Sequence, residues 1–239
     1  MKCLFIESGN INNSIIKIRG ENFHHIHNVF RLKENEEIEI KDQVYAYRCS
    51  LITYFKDYAD FKILDKRELV LRKLNITLCQ SITKSDSFHL ILQKATELGV
   101  SKIIPFISER SVVKIKENDQ ENKVGRWTKI CESAAKQSGQ DFIPDVTPLL
   151  YKISDLQINT PNKLIAYELE SSFTLKNQLD QINPQKEIFI FIGPEGGFTQ
   201  NELEIAKNFN FMPCSLGDHV LRSETATLYI LSCLKYHFS

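Results

Sequence analysis

The chain has 239 residues, 42% hydrophobic and 25% charged, a globular composition that excludes disorder, a collagen-like rod and a coiled coil. Thirty basic residues balance thirty acidic ones, so no bulk positive field advertises nucleic acid, and any such contact must come from a local patch. No run approaches the roughly 18 apolar residues of a membrane span, and the opening segment turns polar too soon for a secretory signal.

Residues 1–70 carry short runs rich in β-branched and aromatic residues at 3–6, 14–18, 37–40, 44–54 and 59–64, separated by polar turns. This pattern predicts a small antiparallel barrel, with one helical insertion at 22–30. Residues 1–72 hold 12 basic and 11 acidic side chains, so their cations matter only if segregated onto one face. The charged stretch 64–73 reads as a hinge. From Leu74 the rhythm changes to alternating strands and helices, which predicts an α/β layer over 71–239 with a mostly parallel sheet. Strands are expected at 74–79, 103–107, 164–167 and 187–192, the last with five successive apolar residues that suit burial on both faces. Phe88, Ile91, Leu92, Ala95 and Leu98 follow helical spacing and end at Gly99, a position that favours positive φ. Val124, Trp127, Cys131, Ala134 and Ala135 form a second stripe ending at Gly139, with Trp127 as core. Helices are expected at 201–209 and 224–236, the last apolar almost all round and therefore buried.

Four of the nine glycines fall between 193 and 217, in two loops. In the first, a buried strand runs through Gly193-Pro194-Glu195-Gly196-Gly197 into Thr199 and Glu202, which form a capping box. The second, Leu216-Gly217-Asp218-His219-Val220-Leu221-Arg222-Ser223-Glu224-Thr225-Ala226, lies between a short run and a helix. Side by side over adjacent strand ends, the two would make a crevice with apolar walls and few polar groups. Neither a G-x-x-x-x-G-K-[ST] run nor any G-x-G occurs, so phosphate-gripping and dinucleotide fingerprints are absent. A cofactor without phosphates fits better, and S-adenosylmethionine (SAM) is one. Six scattered cysteines without a Cys-x-x-Cys pair suit reduced thiols in the cytoplasm rather than disulfides or zinc. His24, His25 and His27 do not gather on one helix face, so no metal is expected.

Taken together, Phe191-Ile192-Gly193-Pro194-Glu195-Gly196-Gly197-Phe198 and the loop from Leu216 to Ala226 resemble the RsmE family, the 16S ribosomal RNA (uracil-N3)-methyltransferases of the SPOUT class. Lys94-Ala95-Thr96-Glu97-Leu98-Gly99-Val100, Ser108-Glu109-Arg110-Ser111-Val112-Val113, Glu132-Ser133-Ala134-Ala135-Lys136-Gln137-Ser138-Gly139 and the segment from His24 to Leu32 extend the likeness along nearly the whole chain. The resemblance implies a PUA-like, RNA-binding β-barrel at 1–70 and a SPOUT-type α/β domain with a trefoil knot at 71–239. It also implies a homodimer that acts on small-subunit ribosomal RNA or the assembled 30S subunit, with no membrane and no DNA. By position, the cofactor residues become Ile192, Gly193, Pro194, Gly196, Gly197, Leu216, Gly217, Leu221, Ser223, Thr225 and Ala226. His219 stands where the family usually has arginine, and Ser223 where threonine is common. The turn after Lys41-Asp42 lacks the family's glycines.

Methylating uracil N3 requires loss of its proton and stabilisation of the charge that spreads to the flanking oxygens. Arg222 is the candidate for that charge, against the alternative that it only ion-pairs with Glu195 or Glu224. Those two carboxylates are the candidates for the proton, against ordinary hydrogen bonding to loop amides. Arg31, Arg110 and Lys136 are the candidate RNA contacts, against solvated surface charge. Two other functions remain open: a catalytically silent RNA-binding or ribosome-assembly factor, and a SPOUT methyltransferase with a different RNA target.

Overall fold

The computed structural model describes residues 2–7, 11, 12, 14–70 and 72–239. Two compact units emerge, one of residues 1–71 with 135–142, the other of residues 72–134 with 143–239.

In the first unit, six strands follow the order β1-β4-β5-β6-β3-β2: β1 Cys3–Phe5, β2 Ile11–Asn12, β3 Ile15–Arg19, β4 Glu37–Lys41, β5 Tyr45–Tyr54 and β6 Tyr58–Glu68. Alternate residues turn inward because successive strand side chains point to opposite faces. Ile16 and Ile18 of β3 therefore meet Ile38 and Ile40 of β4, with Leu4, Leu51 and Phe61, in one core around which the sheet curls. Helix α1 (Gly20–His24) continues as a π-helical turn at His25–Phe30, and Phe23 and Ile26 seal the core. Two expectations need correction. The sheet is not wholly antiparallel, since β1 pairs with β4 in parallel, Leu4 opposite Ile40. The hinge does not begin at 64: Asp65–Glu68 extend β6 and pair with Tyr45–Arg48 of β5. Periodicity reports which face is buried, not strand direction, and exposed charges do not stop a strand whose partner supplies the ladder. Among the described residues no ladder joins β1 to β2, so both are edges.

The second unit holds β7 Ile76–Ser81, α2 Ser85–Glu97, β8 Lys102–Phe106, β9 Asp145–Val146, β10 Asn162–Ala166, α4 Leu175–Leu179, β11 Ile188–Ile192, α5 Gln200–Asn208, β12 Met212–Cys214 and α6 Ser223–His237. Helix α3, Gln120–Ser138, belongs to it as far as Ala134. All six strands are parallel, in the order β12-β10-β11-β7-β8-β9. Every residue of β7 and β11 is buried because both sheet faces are covered. Ile188, Ile190 and Ile192 pack with Phe88, Ile91, Trp127, Ile230 and Leu234 on one face. Phe189 and Phe191 pack with Phe198, Leu203 and Phe211 on the other. Gly99 (φ 86°) and Gly139 (φ 72°) adopt the positive φ that their places after α2 and α3 suggested.

Three short elements left no periodic signal. Strand β9 has two residues, and β12 contains Pro213, which a strand at the sheet's edge tolerates. Helix α4 is announced only by a Thr174–Asn177 capping box. Helix α6 corrects the expectation of burial all round: Ala226, Ile230, Leu231 and Leu234 are buried, but Tyr236 is 87% exposed. No described helix is long and apolar enough to cross a membrane.

Candidate functional site

Strand β11 ends in Ile192 and runs into a turn closed by the Gly197 amide donating to the Pro194 carbonyl at 3.0 Å. Gly197 (φ 68°) has the Glu168 carboxylate against it, and a Cβ there would come within 2.1 Å of Oε1. The positive φ is what favours glycine there, since the exposed Glu168 side chain can swing aside. The turn feeds α5 through the expected capping box: Thr199 Oγ1 accepts from the Glu202 amide at 3.2 Å, and Glu202 Oε2 accepts from the Thr199 amide at 2.8 Å. Buried Glu202 does more than cap, since its Oε1 accepts from the Glu109 amide at 3.0 Å and ties in the loop after β8.

Strand β12 leads into the second loop, where Gly217 takes φ 122° with open space around it. The loop ends at Ser223, the first residue of α6, in a buried polar network. Gln80 Nε2, at the end of β7, donates to Ser223 Oγ at 3.0 Å, and that hydroxyl donates to the Gly193 carbonyl at 2.7 Å. Thr227 Oγ1 donates to Gln80 Oε1 at 2.7 Å. Every member has a partner, the condition under which buried polar groups stabilise rather than cost.

Between the loops lies a cavity of about 530 Å³, open to solvent. Of the residues singled out from sequence, Ile192, Gly193, Pro194, Gly197, Leu216, Gly217, Leu221, Ser223 and Ala226 line it. Gly196 and Thr225 do not. The Gly196 carbonyl instead accepts from Arg110 Nη1 at 3.0 Å, and Thr225 is exposed on α6. The two loops do not stand over adjacent strands, a correction to the expected crevice: β10 lies between β11 and β12. Its end therefore supplies Ala166, Tyr167 and Glu168 to the wall, residues that no motif marked. Phe198, Ser215, His219 and Val220 also line it. Phe198, His219 and Val220 fall within the two family-like segments, and Ser215 immediately precedes the second.

Among the described residues no lysine or arginine lines the cavity, and its one carboxylate is Glu168. A phosphate would find no cation there, whereas a positively charged sulfonium nucleoside meets apolar walls, backbone groups and that carboxylate. The residues present therefore suit S-adenosylmethionine.

The candidate reactive side chains sit around the cavity rather than on its wall. Arg222 is exposed at the N-cap of α6, and its side chain forms no hydrogen bond or ion pair among the described residues, which removes the pairing with Glu195 or Glu224. Glu224 is half-buried in the first turn of α6, and Glu195 is exposed. Of the candidate RNA contacts, Arg110 belongs to the second unit and is exposed; Arg31 and Lys136 belong to the first. Arg31 follows the π-turn at φ 49°, exposed, while Lys136 is half-buried and already engaged with other groups. His27 contacts Asn28 and the rings of Phe23 and Tyr54. Among the described residues no three His, Cys, Asp or Glu side chains gather as a metal site. Burial pushes the Cys3 thiol up to about 11 and those of Cys49 and Cys214 to about 12, which makes them poor nucleophiles.

The RNA methyltransferase domain family matches residues 71–235. The chain is 33% identical over 234 residues to ribosomal RNA small subunit methyltransferase E of Bacillus subtilis, covering 92% of this chain and 89% of that one. It is 40% identical over 167 residues to the protein of that name from Mesomycoplasma hyopneumoniae, covering 68% of this chain and 70% of that one. Among solved structures, the Neisseria gonorrhoeae ribosomal RNA small subunit methyltransferase E bound to S-adenosyl methionine superposes with a TM-score of 0.85. That match has 31% identity over 99% of this chain and 98% of that one.

Proposed function

The chain belongs to the ribosomal RNA small subunit methyltransferase E family, and we propose on that footing that it methylates N3 of one uridine in 16S ribosomal RNA, with SAM as donor. The observation that carries this reading is the cavity walled by both glycine loops and by the end of β10, with Glu168 as its carboxylate and no lysine or arginine among the described residues that line it.

SAM supplies an electrophilic methyl group on a sulfonium centre. Ile192, Leu216, Leu221 and Ala226 would hold the donor against apolar surface, with Gly193, Pro194, Gly197 and Gly217 bringing backbone close. Gly196 and Thr225 are not assigned to that wall. Ser223 is a positioning residue that fixes one loop to the other through the Gly193 carbonyl. Arg222 carries an uncommitted positive charge beside that hydroxyl in sequence, and we assign it to the negative charge that develops on the uracil oxygens. Glu224, half-buried in the same helical turn, takes the N3 proton, with Glu195 the second carboxylate of the loop pair. Arg31, Arg110 and Lys136 are assigned to RNA phosphates.

We read the first unit as a PUA-like barrel and the second as a SPOUT domain with a trefoil knot. Support for the knot comes from the chain's path: it leaves β12 beyond β10, and the next helix packs against β11 and α2. The exposed Tyr229, Tyr236 and Val220 support a homodimer built on this face. The substrate is small-subunit RNA or the assembled 30S particle, in the cytoplasm.

Nucleoside mass spectrometry of ribosomal RNA from cells with and without the gene tests the reading, with one 3-methyluridine expected to disappear. Arg222→Ala should abolish methylation in vitro while calorimetric SAM affinity stays within a few-fold. Surviving activity would refute the assigned charge stabilisation.

A further inference from the structure

A second pocket, of about 410 Å³, lies in the second unit and shares no wall residue with the first. It opens at the start of α2, against the stretch of α3 that carries Lys123, Arg126 and Trp127. Thr83 belongs to its wall, is 2% exposed, and has an Oγ1 that is buried without any hydrogen-bond partner. Nearly all buried hydroxyls find a partner, so an orphan on a pocket wall points to a ligand atom that would supply one. Helix α2 begins with Lys84 at the N-cap and no side-chain cap, which leaves its first-turn amides without a side-chain acceptor.

The charge here is cationic. The side chains of Lys123 and Arg126 are exposed and form no hydrogen bond or ion pair among the described residues. Their field reaches His89, whose pKa is depressed by burial and by these two cations, with Asp86 the one opposing carboxylate. Uncommitted cations, uncapped amides and an orphan hydroxyl converge on one pocket whose wall also carries the apolar Ile82, Phe88, Val113, Ile115 and Trp127 beside Ser85 and His89. That combination suits a phosphate with a sugar beside it.

We propose that this pocket binds a backbone phosphodiester of the RNA substrate. Lys123 and Arg126 supply the counter-charge, Thr83 donates its hydroxyl, and the ribose lies against the wall of Phe88 and Trp127. The proposal rests on the RNA-methylating reading above, but the pocket can be probed without the reaction. Trp127 is the chain's only tryptophan, so its fluorescence reports this pocket alone.

The full-length protein is titrated with a small-subunit RNA oligonucleotide and, separately, with inorganic phosphate, while SAM affinity is measured by calorimetry. Saturable quenching or shift of Trp127 emission is expected with the RNA. Lys123→Gln/Arg126→Gln should weaken RNA binding roughly tenfold and flatten its log–log salt slope by about 1 to 2, with SAM affinity unchanged. Thr83→Val, isosteric and fold-preserving, should weaken RNA binding several-fold without changing the salt slope. An unaltered salt slope in the double variant overturns the proposal. So does a Trp127 response to inorganic phosphate but not to RNA, which would make this a free-phosphate pocket. Loss of SAM binding in the wild-type protein would instead count against the methyltransferase reading and leave the phosphate titration interpretable.

Discussion

At Ser223 a single hydroxyl accepts from the Gln80 amide and donates to the Gly193 carbonyl, so the geometry of both glycine loops depends on one oxygen. Its removal takes the side-chain donor from the Gly193 carbonyl, while Gln80 Nε2 keeps the Ser81 carbonyl at 3.1 Å, and a buried group left unpaired costs about 1–3 kcal/mol. Ser223→Ala should therefore lower stability by about 2 kcal/mol in urea unfolding and weaken SAM binding roughly tenfold. Unchanged values for both would show that apolar packing alone holds the loops. Arg222, the preceding residue, illustrates what side-chain identity leaves open. Its charge and place in the loop were legible from the sequence, but only the structure reveals that no carboxylate among the described residues pairs with it. Thr83 is the converse case. Nothing about a threonine before Lys84 marks it, because the missing hydrogen-bond partner exists only once β7, α2 and α3 have packed.

Among the elements, β6 and the segment after α3 carry the strongest electrostatics. Lys41, at the end of β4, is fully buried, and its ammonium meets Glu39 and Asp141 at 2.9 Å each and the Gly139 and Gln140 carbonyls at 3.2 and 2.9 Å. Arg67, in the charged extension of β6, grips both Asp141 oxygens at 2.8 Å. Arg67 first, then Lys41 and the Val70 amide, outweigh desolvation and hold the Asp141 carboxyl well below its ordinary 3.8. A carboxyl depressed in the folded state takes up its proton more readily in the unfolded chain. Its stabilisation is therefore complete above the unfolded value and fades as pH falls through and below it. The urea midpoint of the wild-type protein should drop between about pH 5 and pH 3. Asp141→Asn should start lower at pH 7, where Lys41 and Arg67 keep Glu39 as their one carboxylate among the described residues, and change less over that range. Equal pH slopes for the two proteins would remove Asp141 as the responsible group. The acidic and basic run at 65–68 was plain in the sequence. That it is a strand and an ion-pair platform follows from β5, which extends alongside it.

On the scale of the whole molecule, the chain leaves the second unit at residue 134, contributes 135–142 to the first and returns at 143. A fragment of residues 1–71 therefore lacks Asp141 and the Gly139 and Gln140 carbonyls. It would keep a buried ammonium with Glu39 as its remaining carboxylate. Breaking a buried charge network by removing a partner costs about 3–5 kcal/mol, a large share of what a unit this size commands. The isolated fragment should unfold at much lower temperature in calorimetry than the same residues do in the intact protein. Lys41→Met in the fragment should recover part of the difference. A fragment as stable as its counterpart in the full chain would show that the network contributes little.

By itself the sequence determined what short-range physics controls. Alternation and apolar runs fixed which faces of β3, β4 and β11 turn inward, Gly99 and Gly139 marked where helices end, and Thr199 with Glu202 announced the cap of α5. Two glycine loops were recognisable because backbone freedom is written in residue type. Tertiary structure alone decided that β10 lies between β11 and β12, and so that Ala166, Tyr167 and Glu168 join the cavity. It alone sent 135–142 to the first unit and left the Thr83 hydroxyl without a partner beside two uncommitted cations. The division has one cause. Periodicity and turn chemistry act between residues a few positions apart, whereas strand order and pocket walls are chosen by contacts between segments distant in the chain, whose pairing no local pattern encodes.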